Sequence, residues 1–272
     1  MTAIQTLSID TDDHIALAAA PHAALAEHVT RLWSHEAASR ASAQERVLPS
    51  GSADLVFDLR DDTRAPRVCG PHAVPFGMVR GGAEAFVGVQ FTPGGAAALL
   101  GVPQNALANA RVELASLWGD APAQRWRDAL LRARGPQARV RTLERLLLGR
   151  LATAREGHTS VAFALQQLLS CDEVQSIGGI VAATGLSARR FIQLFTREVG
   201  LPPKLFARVR RFQRVLALTQ AQRTPNWCDV ALACGYHDQA HMHRDFGEFA
   251  EVTPARYLRA RGVDPSHVAV RR

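Results

Sequence analysis

Gly185-Leu186-Ser187-Ala188-Arg189-Arg190-Phe191-Ile192-Gln193-Leu194-Phe195, followed by Gly200-Leu201-Pro202-Pro203 and Phe206, is met a second time further along the chain. The second occurrence reads Gly235-Tyr236, then Asp238-Gln239-Ala240-His241-Met242-His243-Arg244-Asp245-Phe246, then Val252-Thr253-Pro254 and Tyr257. Gly185 maps to Gly235 at an offset of 50 residues, whereas Phe195 to Phe246, Pro203 to Pro254 and Phe206 to Tyr257 all sit at 51. The second turn has gained one residue and the rest is in register. A repeat of this length is one supersecondary unit used twice.

Each copy has the parts of a helix-turn-helix. A short apolar helix, Ile180-Val181-Ala182-Ala183 or Val230-Ala231-Leu232-Ala233, stops at a glycine suited to the left-handed turn conformation. Ser187 or Asp238 then suits the cap of the next helix. Phe191, Leu194, Phe195 and Val199 in copy one, and Met242, Phe246 and Phe249 in copy two, recur at the i, i+3/i+4 spacing of a buried stripe. The outward residues are then Arg189, Ile192, Gln193, Thr196 and Arg197 in one helix and Gln239, Ala240, His243 and Arg244 in the other. Arg and Gln on an exposed helix face can make paired hydrogen bonds to guanine and adenine edges. A plain helical bundle would need the buried stripes but neither the duplicated turn chemistry nor the charge: residues 177–223 carry nine Lys or Arg against Glu198 alone.

At these residues, over roughly 160–261, the chain resembles the AraC/XylS family of transcription regulators. That resemblance implies two helix-turn-helices joined by a long helix, built on G-[LF]-S-x-x-x-[LF]-x-R-x-F and a later G-x-[ST]-P with an aromatic three residues on. Four positions depart from the pattern. Val181 replaces an alanine, Gln193 a basic residue, Pro202 a capping Ser or Thr, and Glu251 a glycine where φ > 0 is expected. The last change costs on the order of 1 kcal/mol locally.

The chain has 272 residues, enough for two ordinary domains, and at 47% hydrophobic and 21% charged both can bury a core. Of the formal net charge of +7, residues 177–272 hold fifteen basic side chains against seven acidic, leaving seventeen against eighteen before them. The positive excess lies wholly where phosphate would be met. No apolar run approaches the ~20 residues of a membrane span. Ile15-Ala16-Leu17-Ala18-Ala19-Ala20 follows Asp10, Asp12 and Asp13 instead of a basic region, so export is not expected. Cys69, Cys171, Cys228 and Cys234 have no framework spacing, which fits reduced thiols in a cytoplasm.

In the first half, residues 3–9 read as a strand. Pro21 then suits a first helical turn, with Leu25, Val29, Leu32 and Trp33 as the apolar stripe of a helix through Ser34. Strands are expected at 46–48, 54–59, 67–69 and 78–80. Gly81-Gly82 reads as a hairpin turn into a strand at 85–91. Thr92-Pro93-Gly94-Gly95 opens a helix that Gly101 closes, and further helices are expected at 116–118, 121–134, 140–151 and 160–169. Residues 154–158 form the best domain boundary. The connector at 205–219, about 22 Å long as a helix, is the right scale for recognition helices ~34 Å apart, and its Arg208, Arg211 and Arg214 share one side that could reach phosphates. Leu32-Trp33, residues 48–57 and residues 88–96 resemble an uncharacterised domain found ahead of AraC-type DNA-binding domains, which implies a sensor or dimerisation role.

Other constellations carry less. Cys228, Cys234, His237, His241 and His243 have a looser spacing than structural zinc wants. No P-loop or nucleophile elbow is present, and Asp54 with Asp58 or His72 near Cys69 are poor beginnings of a catalytic site. Phe57, Phe76, Phe86 and Phe91 could line a ligand pocket or form the core of the strand-rich domain. Leu143, Leu146, Leu147 and Leu151 fit a dimer seam or packing within the chain equally well.

The expectation is an α+β, strand-rich and barrel-like regulatory domain at 1–152, an all-α DNA-binding domain at 153–262, and a tail at 263–272. Within the second domain the helix-turn-helices fall at 177–199 and 227–250, with the connector at 204–220. The expected function is a cytoplasmic, nucleoid-bound, sequence-specific transcription regulator that is not an enzyme and needs no cofactor or metal. Its partners would be double-stranded DNA, a small-molecule effector, a second copy of the chain and, for an activator, RNA polymerase, but no membrane. The expected DNA contacts are Ser187, Ala188, Arg189, Arg190, Ile192, Gln193, Arg197, Arg208, Arg211, Asp238, Gln239, Ala240, His243 and Arg244. The rivals are a ligand-binding module whose C-terminal domain serves protein contacts, and an enzyme fused to a DNA-binding domain.

Overall fold

A computed structural model describes residues 14–38, 42–60, 63–154, 156–170, 176–261 and 266–269. The strand expected at 3–9 lies outside them. Strands β1 (His14–Ala19), β2 (Val29–Ala37), β4 (Asp54–Asp58), β5 (Arg67–Cys69), β7 (Glu84–Phe91) and β8 (Arg111–Glu113) form an antiparallel sheet in the order β1-β2-β7-β4-β5-β8. A smaller sheet takes β6 (Phe76–Arg80), β3 (Ala43–Val47) and β9 (His267–Ala269) in the order β6-β3-β9.

Alternation drives the large sheet, since successive side chains point to opposite faces. Leu55 and Phe57 on β4 and Val87, Val89 and Phe91 on β7 point to one face and are fully buried. Helices α1 (Gly95–Leu100), α2 (Ala115–Trp118), α3 (Asp120–Arg132) and α4 (Pro136–Leu151) complete that core, with Leu99, Leu130, Leu143 and Leu147 buried against it. The leucine stripe of α4 therefore packs within the chain. On the opposite face Trp33 lies over Gly88, where a Cβ would come within 2.5 Å of the indole.

Two expectations are corrected. The helix expected from Pro21 to Ser34 is a 3-10 turn at Ala23–Leu25 followed by β2. A bulge between Val29 and Arg31 puts Val29 and Leu32 on the same buried side three residues apart, which imitates helical spacing. The turn at Gly81-Gly82 joins no hairpin, because β6 pairs with β3 while β7 pairs with β2 and β4.

Helices α5 (Thr159–Leu169), α6 (Ile177–Thr184), α7 (Ala188–Val199), α8 (Pro203–Thr219), α9 (Trp227–Ala233), α10 (Gln239–Ala250) and α11 (Pro254–Ala260) make the second core. Leu48, Ala73 and Val268 belong to it as well, so the helical core extends into the sheets. Within the segment expected as a tail, His267–Ala269 pair with β3, where His267 Nδ1 lies 3.0 Å from Glu45 Oε2.

Candidate nucleic-acid interface

The two turns are built as the repeat requires. Gly185 and Gly235 hold φ of 69° and 76° after the first helix of each unit. Ser187 Oγ accepts from the Arg190 amide at 3.3 Å, and Asp238 Oδ1 accepts from the His241 amide at 2.7 Å. That bond, with the neighbouring His237, holds the Asp238 carboxyl below its ordinary pKa. Helices α7 and α10 span twelve residues each and begin and end in register at the offset of 51.

The stripe and the outer face of α7 fall where the spacing places them. Phe191, Leu194, Phe195 and Val199 are buried, and Ser187, Ala188, Arg189, Arg190, Ile192, Gln193 and Arg197 are exposed. The side chains of Arg189, Arg190 and Arg197 make no hydrogen bond or ion pair among the described residues. Ile192 keeps 45% of its surface in solvent, an apolar patch among cations.

The second unit differs. Ala240 and Arg244 are exposed and Asp238 caps the helix, but Gln239 and His243 are half-buried and tied together. The Cys228 thiol donates to Gln239 Oε1 at 3.1 Å, and Gln239 Nε2 lies 3.4 Å from His243 Nε2. The His243 ring stands edge-on to Trp227 with centroids 6.2 Å apart.

The arginines of α8 have intramolecular partners. Arg208 donates to Asp245 Oδ1 from Nε at 3.2 Å and from Nη2 at 2.8 Å, and to both Glu248 oxygens at 3.2 and 2.5 Å, while its guanidinium covers the Phe249 ring. Glu248 and Asp245 hold Arg208 above its already high pKa. Arg211 lies over the Tyr236 ring, with Nη2 3.9 Å from Asp245 Oδ2. Arg214 donates to the carbonyls of Leu168 and Ser170. Arg208 and Arg211 thus face the second unit, because the helix opposite them carries carboxylates.

Sequence reading missed Asp245 as the centre of this cluster. Its signal was available: Asp245 stands on the stripe Met242, Asp245, Phe246, Phe249, and a carboxylate on a buried stripe demands a cation. Burial, and then Asp245, push the Tyr236 hydroxyl well above its usual range.

Arg46 on β3 was also missed. Its Nη1 donates to the Ala250 carbonyl at 3.2 Å and its Nη2 pairs with Glu251 at 2.9 Å, holding the end of α10 from the sheet side. Glu251 itself sits at φ 53°, the left-handed position expected of a glycine. Gln213 on α8 donates to the Pro49 carbonyl, and Pro71 packs on Gly200 so closely that a Cβ there would come within 2.7 Å.

The four phenylalanines considered as a pocket are not brought together. Phe57 and Phe91 are fully buried in the sheet core. Phe86, an odd number of positions from Phe91 on the same strand, points to the other face and lies beneath Arg60. Phe76 is in the other sheet, between His72 and Arg111. A cavity of about 350 Å³ lies elsewhere, between Gln167, Leu168, Ser176 and the basic side of α8. No group of three or more His, Cys, Asp or Glu among the described residues could hold a metal ion. No described helix is long and apolar enough to cross a membrane.

Residues 18–113 match a domain family of unknown function (DUF6597), and residues 180–260 match a helix-turn-helix domain family. No curated protein matches the chain. Among solved structures, ToxT from Vibrio cholerae in its P21 form is 8% identical with a TM-score of 0.43, covering 84% of this chain and 97% of that one. ToxT from the same organism with bound unsaturated fatty acid is 7% identical with a TM-score of 0.36, covering 92% and 96%. At these TM-scores the likenesses say nothing about what this chain binds.

Proposed function

With residues 180–260 an AraC-type helix-turn-helix domain, we propose that the chain is a sequence-specific, DNA-binding transcription regulator whose two units enter successive major grooves of one duplex. One observation carries this reading: the same capped twelve-residue helix occurs twice, each time with its apolar stripe buried and arginine left in solvent. Arg189 and Gln193 read base edges from α7, with Ile192 suited to a thymine methyl group. Arg190, Arg197 and the exposed helix N-termini hold phosphates and fix register. From α10, Arg244 and Ala240 meet the groove, and the Gln239–His243 pair offers a pre-ordered polar edge. Arg208 and Arg211 serve DNA indirectly, through the second unit they hold.

The sheet domain regulates this reading. It touches α8 at Pro49, the end of α7 at Pro71 and the end of α10 at Arg46, so a small effector or a second copy of the chain acting on the sheets would be felt at both units. The protein works in the cytoplasm, and an activating role would add contact with RNA polymerase.

Footprinting on the DNA upstream of its own gene, followed by binding measurements on the protected site and on random duplex, tests the reading. Arg189→Ala should cost ~1–3 kcal/mol on the protected site and relax preference at one position. Arg190→Ala should weaken all sequences alike and flatten the salt dependence. Low, salt-insensitive affinity for every duplex would favour a protein-binding role for the helices instead.

A further inference from the structure

Asp245 is 2% exposed, yet it belongs to the helix that presents Arg244 to solvent. A carboxylate that far from water needs compensation on the spot. It obtains it from α8: two hydrogen bonds from Arg208 to Oδ1 and the Arg211 guanidinium 3.9 Å from Oδ2. Arg208 bridges onward to Glu248, so one guanidinium holds α10 at two points a turn apart. Around this cluster the packing is aromatic, with Phe212 against Phe246 and Phe249 at centroid distances of 5.2 and 5.4 Å. Aromatic faces allow a helix to slide or roll, whereas two charge-assisted hydrogen bonds converging on one buried carboxylate oxygen narrow the geometry.

Resting on the reading above, we propose that Asp245 is the positioning residue of the second recognition helix: through Arg208 and Arg211 it fixes the roll of α10 on the connector, and so the spacing between the two half-sites the protein accepts. The equivalent position in the first unit, 51 residues earlier, is Leu194, so α7 is docked without such a lock. Arg211, lying over the Tyr236 ring, backs the carboxylate from the far side, and the turn between α9 and α10 is thereby tied into the same cluster. Arg244, the residue just before it, takes its aim from this anchor.

The test uses the full chain on its footprinted site, on that site with one or two base pairs inserted between its halves, and on a duplex carrying only the half protected by the first unit. Asp245→Asn keeps the shape, and its amide oxygen can still accept from Arg208, but it gives up the charge. It should lose roughly tenfold or more in affinity for the complete site, lose hydroxyl-radical protection over the second half, and no longer discriminate against the inserted spacings. Binding to the first half alone should be unchanged, and Asp245→Glu should restore part of the spacing preference. Glu248→Gln, which leaves the Asp245 bonds intact, should have the smaller effect. If Asp245→Asn lowers both halves together, Arg208→Lys decides, since it keeps the charge but loses the fork. Loss of spacing discrimination in that variant, with the first half still bound, upholds the proposal, and equal loss of both halves overturns it. Unchanged spacing discrimination in Asp245→Asn also overturns it. Failure of the wild type to protect a two-part site would instead sink the DNA reading itself.

Discussion

Leu194 and Asp245 occupy one position in the two repeats, as do Gly200 and Glu251, and Arg197 and Glu248. The first unit is docked by apolar contact: Phe191 against Phe195, and Phe195 edge-on to Phe206 at 5.6 Å. The second is docked by a charge cluster laid over aromatic rings. The first consequently leaves its arginines to solvent, while the second spends carboxylates inward and ties Gln239 to His243. One backbone design has thus been held in place by two chemistries. Apolar docking is indifferent to salt, whereas the exposed arm of an ion cluster weakens as ions screen it.

The contrast breaks most directly at Phe206, which is fully buried at the start of the connector. Phe206→Ala should lower unfolding free energy by about 3–5 kcal/mol in urea titrations. A loss below about 1 kcal/mol would show that the first unit does not depend on that ring.

Acid offers a second way in, through the segment that backs the first unit beside Pro71. His72 is 6% exposed, its ring nitrogens have no hydrogen-bond partner among the described residues, and burial, aided by Arg111, depresses its pKa from 6.5 to about 4. The unfolded chain therefore binds the extra proton first. Stability is full above pH 6.5 and falls as the pH drops towards 4. Urea midpoints compared at pH 7 and pH 5 should show a loss of about 2 kcal/mol, and His72→Gln should flatten most of it. An equal slope in the variant would place the titration elsewhere.

The smallest effect concerns the residues that end the two recognition helices. Gly200 has φ 93° and no room beside Pro71, so Gly200→Ala should cost about 1–2 kcal/mol. Glu251 already bears the left-handed strain, and its pair with Arg46 is partly exposed, so Glu251→Gly should be neutral or stabilise by up to about 1 kcal/mol. Thermal melts of both variants check the opposite signs.

The helical half was legible because its signals are local. A glycine at a left-handed turn, a cap two or three residues on and a stripe at helical spacing specify a helix-turn-helix with no knowledge of what it touches. Glu251 was legible for the same reason, as a non-glycine where the motif requires positive φ. The sheets were less so, because pairing joins residues far apart. Gly81-Gly82 announces a turn but not that β6 and β7 go to different sheets. A single bulge was enough to disguise β2 as a helix. Arg208 and Arg211 looked like a phosphate-facing row because nothing in the connector reveals the carboxylate opposite. The signal for it, a carboxylate on the stripe of Met242, Phe246 and Phe249, went unread.

The pairing of β9 with β3 brings together Glu45 and His267, 222 positions apart along the chain. At a synthesis rate of roughly 5–20 residues per second, β3 emerges from the ribosome tens of seconds before the strand that will cover its outer edge. For that interval an open strand edge is a template for a neighbouring nascent chain. Glu45 and Arg46, side by side on that strand, make it a poor one. Charges that later join the two halves of the molecule would thus serve first as guards against aggregation during translation.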